Sequence, residues 1–143
     1  MHANRRPNLQ PLSMLPMLAC VVDEQLADLE KQLAAIQRAH ERTGSMDDAT
    51  IDHVLRVFGE TKQLLPTYEL QVDHWRTSCS PSVVQASQIA HLAEQLTISI
   101  KVVNEILKLA DEIKGQTIEA LMGIGDLAWG LAALGAHPPK DGP

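Results

Sequence analysis

From Leu18 to Ile113 the apolar side chains of this chain recur every three or four positions. That spacing puts them on one side of a helix but on both faces of a strand, so the chain can hide them only as helices packed together. Three stripes can be read. Leu18, Val22, Leu26, Leu29, Leu33, Ile36 and His40 form the first. Ile51, Val54, Phe58, Thr61, Leu65, Tyr68, Val72 and Trp75 form the second, and Ile89, Leu92, Leu96, Ser99, Val103, Ile106, Ala110 and Ile113 the third. With its flanks, each helix should run about 28 to 34 residues, roughly 42 to 50 Å. Matched lengths joined by short breaks predict neighbours that run in opposite directions.

Local chemistry marks the ends. Pro16 suits an opening turn, and Gly44 and Ser45 stop the first helix. Ser45 can cap the second helix, with Asp47 and Asp48 at the positive end of its dipole. Pro66 lies inside the second stripe, yet the period survives across it, which predicts one kinked helix and not two. Ser78 to Ser80 forms the next break, with Ser80 as cap and Pro81 in the opening turn of the third helix. Gly115 after Lys114, then Thr117 and Glu119, predict a stop and a new start, hence a shorter fourth helix from about Thr117 to Leu134. One pattern points the other way. Thr117, Ala120, Ile124, Leu127, Leu131 and Leu134 stay in register with the third stripe, as one helix of about 50 residues would require.

The expected fold is all-α: an antiparallel up-and-down helical bundle of three long helices plus a shorter Gly-rich C-terminal helix. Residues 1–15, interrupted by Pro7 and Pro11, are expected as an extended N-terminal arm. Residues 16–135 form the single helical-bundle domain, and 136–143, with Pro138, Pro139 and Gly142, a disordered tail. Composition agrees, because one Phe, one Tyr and two Trp stand among abundant Leu, Ile, Val and Ala, and no run alternates as a strand does. A chain of 143 residues also buries roughly 70% of its unfolded surface, enough for a core without disulfides or metal.

Charge narrows the partners. The formal net charge is −6, and Lys and Arg are scattered in place of a basic stripe, so no nucleic acid is expected. Cys20 and Cys79 lie far apart, make no disulfide framework or metal motif, and have no histidine close by in sequence. Arg5, Arg6 and the apolar run Met14 to Val22 have the outline of an export signal, with Met17-Leu18-Ala19-Cys20 placed like a lipoprotein cleavage box. Pro11 and Pro16 interrupt that run and Leu18 is bulky where a small residue is usual, so a cytoplasmic location is expected. From Ile118 to Ala136 nearly every residue is apolar or small, but Glu119 and Asp126 fall inside. A carboxylate near the centre of a spanning helix costs about 2.5 to 3.5 kcal/mol, so no transmembrane segment is expected.

Tests for chemistry return little. Gly123-Ile124-Gly125-Asp126-Leu127-Ala128 matches a dinucleotide fingerprint in letters, but no strand precedes it and no βαβ unit surrounds it. No Glu-x-x-His or His-x-x-x-His pair supports a di-metal bundle, and His91 with Glu94 stands alone. If the first two helices form a hairpin, His40, His53, Asp48 and Asp52 gather at its closed end. Two histidines and two carboxylates are weak candidates for a metal, against the plainer reading of a polar loop end. There is no nucleophile elbow or P-loop, and the loops are too short to build a pocket of their own. No cofactor is expected.

Long stripes with few specific polar groups suit recognition between helices better than catalysis. The expectation is a non-enzymatic interaction, scaffold or accessory protein that self-associates as a homo-oligomer and binds a protein partner through an apolar helical face. Leu121, Ile124, Leu127, Trp129, Leu131 and Leu134 are the candidate contact residues, on a segment whose Gly123, Gly125 and Gly130 would let another backbone come close. The alternative is an enzyme, or a metal- or lipid-binding bundle, with its site between the helices.

Overall fold

The structure, a computed structural model, describes residues 9–42 and 44–133, with side chains described as far as Gln116. A 3-10 turn, Leu12–Met14, leads into α1 (Leu15–Glu41), followed by α2 (Asp48–Ser78) and α3 (Val83–Ala133). No strand occurs among the described residues. The three helices pack on one core, and α3 is its axis: α1 and α2 each lie along α3 and scarcely approach one another.

The third stripe explains that geometry. All eight of its members, Ile89 to Ile113, are buried, joined by Leu109. Leu15, Val22, Leu26, Leu29 and Ile36 meet them from α1, and Ile51, Phe58, Leu65, Val72 and Trp75 from α2. A fully buried aliphatic or aromatic side chain stabilises by about 1.5–3 kcal/mol relative to an exposed one, so the stripes dominate the packing. Ser99, wholly buried among them, is tolerated because its hydroxyl donates to its own helix at the Gln95 carbonyl, 2.8 Å away. Leu18, Leu33 and His40 of the first stripe, and Val54, Thr61 and Tyr68 of the second, are only half-buried.

Polar pairs fix the register. His40 Nε2 meets Glu112 Oε1 at 2.8 Å and Gln95 Nε2 donates to Asp23 Oδ1 at 3.2 Å, tying α1 to α3. Lys114 Nζ donates to Asp52 Oδ1 at 2.9 Å, tying the start of α2 to α3. The last turn of α1 and the first turns of α2 therefore meet α3 at Glu112 and Lys114, and α3 continues from there to Ala133.

Several ends differ from expectation. Asp47, not Ser45, caps α2 by accepting from the Thr50 amide at 2.8 Å. Ser45 turns back and donates to the Ala39 carbonyl at 3.3 Å, closing α1 instead. Gly44 sits between them at φ +82°, a left-handed conformation that other residues rarely adopt. Ser82, not Ser80, caps α3: its hydroxyl accepts from the Gln85 amide while the Gln85 carboxamide accepts from the Ser82 amide. That reciprocal pair is a capping box, and it leaves Pro81 outside the helix.

Pro66 lies within a single α2, which runs unbroken past it. The break expected at Gly115 is absent as well. A glycine stop needs a left-handed residue, Gly44 is the one glycine with positive φ among the described residues, and α3 passes helically through Gly115. The in-register stripe was the better guide than the glycine. Of the segment expected to form the fourth helix, Leu134 lies outside the described residues, as do the tail from 136 and residues 1–8.

Candidate functional site

Because α1 and α2 both sit on α3 and not on each other, a groove opens between them on the side away from α3. At one end it is a hollow of about 220 Å³ lined by Met14 of the 3-10 turn, Met17, Leu18 and Val21 from α1, Tyr68 and Trp75 from α2, and the incoming N-terminal segment. Further along, Gln25, Asp28, Leu29 and Gln32 of α1 face His53, Val54, Val57, Phe58 and Thr61 of α2 around a second hollow of about 290 Å³. The lining residues follow one another at helical spacing from Met14, just before α1, to Gln32. The two hollows therefore form one furrow roughly 27 Å long.

The furrow's rim is apolar and open to solvent. Met17 is 58% exposed and Val21 is 41% exposed. Methionine suits such a surface because its unbranched, polarizable side chain adapts to a partner's shape. Neither hollow reaches the roughly 300–1,000 Å³ usual for a small-molecule site. A long, shallow, apolar furrow between two helices has the outline of a bed for another helix.

One end of the furrow is closed by a clamp that the sequence did not reveal. Gln71, buried on α2, accepts from the Gln10 amide at 2.6 Å and donates to the Gln10 carbonyl at 3.2 Å, and the Trp75 indole donates to that same carbonyl at 2.9 Å. The clamp pins the segment before α1 against α2, and Leu15, at the first position of α1, is completely buried. In the middle of the furrow Gln25 Oε1 is buried and accepts no hydrogen bond. A buried acceptor left unmet costs about 1–3 kcal/mol, so this atom calls for a donor.

The candidate metal ligands do not assemble. His40 is engaged with Glu112, Asp52 with Lys114, and His53 Nδ1 lies 3.0 Å from Arg56 Nη2, while Asp48 is exposed at the helix start. No cluster of three or more His, Cys, Asp or Glu suited to a metal occurs among the described residues. The Asp52 carboxylate holds the Lys114 ammonium above the ordinary lysine range by hydrogen bonding and charge, which marks a surface ion pair. His91 is exposed and stands 3.9 Å from Asp23, with no metal-like set around it.

The cysteines repeat that pattern with one surprise. Both are free thiols. Cys20 is exposed and donates to Glu24 Oε1 at 3.5 Å. Its thiol is pushed up by that hydrogen bond and by the Glu24 charge, the reverse of what a nucleophile needs. Cys79 does have a histidine beside it, contrary to the sequence reading: His74 Nε2 lies 3.8 Å from its sulfur, one helical turn back across the end of α2. A five-residue separation was the available signal. Neither residue lines the furrow.

Of the candidate contact residues, Leu121, Ile124, Leu127, Trp129 and Leu131 fall on α3 beyond the described side chains, and Leu134 falls outside the described residues. The Gly123 to Ala128 motif lies within the same helix, without the preceding strand a dinucleotide site requires. No helix among the described residues is long and apolar enough to cross a membrane. Compared with known proteins, the chain matches no protein-family model, no curated protein and no solved structure.

Proposed function

We propose that the chain is a non-enzymatic helical interaction protein, located in the cytoplasm, that self-associates and binds a protein partner through apolar helical surfaces. The observation that carries this is the mismatch between the helices. α1 and α2 end at the level of Glu112 and Lys114, while α3 continues to Ala133 through a sequence that is almost wholly apolar or small. Leu121, Ile124, Leu127, Trp129, Leu131 and Leu134 are the proposed contact residues. Apolar side chains at helical spacing, on a helix that outruns its partners, gain by burial against another molecule. The open furrow between α1 and α2 supports the same reading from the other side of the bundle.

The proposal takes the three helices in up-down-up order, an antiparallel arrangement of neighbours. Its support is the register of the pairs: 23 with 95 and 40 with 112 ascend together, whereas Asp52 meets Lys114 and the residues around Val72 share a notch with those around Leu96. A site for an enzyme, metal or lipid between the helices finds less support, given the small hollows and the scattered ligands. The test compares the full chain with one lacking residues 116–143 in light scattering and in affinity capture from a native lysate. Loss of self-association or of captured partners on truncation is expected. A full chain that is monomeric at every concentration, with an unchanged set of captured proteins after truncation, overturns the proposal.

A further inference from the structure

Among the described residues two polar side chains are buried, Ser99 and Gln71. Ser99 is satisfied by its own helix, whereas Gln71 finds its partners on another segment, at the main chain of Gln10. A leucine at 71 would seal that end of the core with no such requirement, because a buried carboxamide costs free energy unless it is hydrogen-bonded. We infer that Gln71 and Trp75 are the latch of a releasable strap: residues 9–14 detach from α2 as one unit while the three helices stay packed, and so gate the apolar hollow at that end of the furrow. The inference is independent of the proposed function.

The latch is concentrated on one residue. Gln71 offers an acceptor and a donor spaced like those of a main-chain amide, and it pairs with the Gln10 N–H and carbonyl much as a neighbouring strand would. The Trp75 indole donates to the same carbonyl. All three bonds end on main-chain atoms of Gln10, so they are made together and lost together. Water can replace every one of them, which is not true of an apolar seal.

Apart from that latch the strap is lightly held. Leu9, Pro11 and Ser13 are exposed, and Gln10, Leu12 and Met14 are only half-buried. Segments with few buried apolar contacts open at a smaller free-energy cost than the core. Leu15, completely buried at the start of α1, anchors the strap's other end. Between anchor and latch lies a 3-10 turn closed by two local bonds, from the Met14 amide to the Pro11 carbonyl and from the Leu15 amide to the Leu12 carbonyl. That turn is the hinge.

Proline readies the strap to close again. The residue before a proline is confined to extended conformations, so Gln10 keeps the shape the latch requires whether or not it is held. Pro11 itself continues the extended path at φ −68° and ψ 159°. When the strap swings out, the hollow loses the wall formed by Leu9 and Gln10, and the Trp75 indole N–H and the Gln71 carboxamide turn from the strap to water. Closed, the strap shuts that end of the core; open, it widens the hollow.

Hydrogen exchange of the full-length chain, read by two-dimensional NMR over a series of sub-denaturing urea concentrations, provides the test. The probes are the Gln10 amide and the Trp75 indole N–H on the latch, and the Ile106 amide in the core; Trp129→Phe identifies which indole signal belongs to Trp75. Both latch probes are expected to be protected, to exchange at least about tenfold faster than Ile106, and to agree with each other within about threefold, as one opening requires. Their urea dependence should be shallow, because a strap uncovers little surface. Ile106→Ala should speed the core amides and leave the latch probes unchanged. Gln71→Leu should lower the protection of both latch probes about tenfold or more, including the Trp75 indole, which it does not touch by hydrogen bond. Latch probes that follow Ile106 in rate and in urea slope overturn the inference, since the strap would then open only with the whole molecule. So do latch probes unprotected in the wild type, or a Gln71→Leu effect confined to Gln10. Should Gln71→Leu fail to fold, the wild-type urea series and Ile106→Ala decide.

Discussion

The two sides of α1 and α2 obey different rules. Toward α3 the apolar contacts are dry: Val22, Leu29, Ile51, Leu65 and Trp75 are essentially unexposed, and even Ser99 opposite them is satisfied by its own backbone. Away from α3, Met17 and Val21 stand in the open on the furrow's rim, with an unmet acceptor at Gln25 further along it. A helix stripe about 100° wide is enough to face one neighbour, and here the apolar surface is wider than the one neighbour covers. The lesson is that the first side sets the stability of the molecule and the second adds little to it.

The comparison is broken most severely by charging the inner side. Val103→Asp places a carboxylate where no water or cation reaches, and loss of cooperative folding in circular dichroism is expected. A gentler version, Ile106→Ala, should cost about 2–5 kcal/mol in urea unfolding, because Ile106 is fully enclosed. A loss of less than about 0.5 kcal/mol, the scale of a surface substitution, would mean that α3 is not the axis of the core. Next comes the clamp at the furrow's end. Gln71→Leu removes both hydrogen bonds to Gln10, with an expected loss of about 1–3 kcal/mol and faster hydrogen exchange in the segment before α1.

On the outer side the expected effect on monomer stability is small. Met17→Glu should stay within about 0.5 kcal/mol of wild type under conditions that keep the chain monomeric, since more than half of that side chain is already in water. The smallest effect sharpens the picture at the helix start. Hydrogen bonds from Thr50 hold the Asp47 carboxyl below the usual aspartate range. Its contribution is therefore present above the unfolded value, near pH 4, and fades as pH falls through the lowered folded value. Asp47→Asn should flatten that part of the acid limb in a melting-temperature profile and change little at neutral pH.

What the sequence made legible was the inner side. The third stripe was readable residue by residue, because a helix surrounded by neighbours buries whatever keeps the period. Leu15 and Leu109 were missed: the first stands before a proline at the edge of the pattern, and the second widens the stripe beyond a single line. Caps were misassigned by a few residues, because Ser45, Asp47, Ser80 and Ser82 are all chemically eligible and only the reciprocal bonds of Gln85 or the reach to Thr50 decide.

The furrow was not legible. Its existence depends on which two of three helices stand apart, and amphipathic stripes of similar width do not encode that. Nor was the clamp, whose partners Gln10, Gln71 and Trp75 lie 61 to 65 residues apart with no periodic relation.

Chain order gives the third helix a further consequence. Since α1 and α2 scarcely touch, the first two helices to emerge during synthesis have no surface on which to close until α3 follows. The nascent chain must carry its apolar stripes uncovered through more than half of its length, the interval in which chaperones and premature aggregation compete for them. Contacts between distant segments also slow folding relative to a hairpin that zips from its loop. The axis that makes this molecule stable is thus also the piece it waits for.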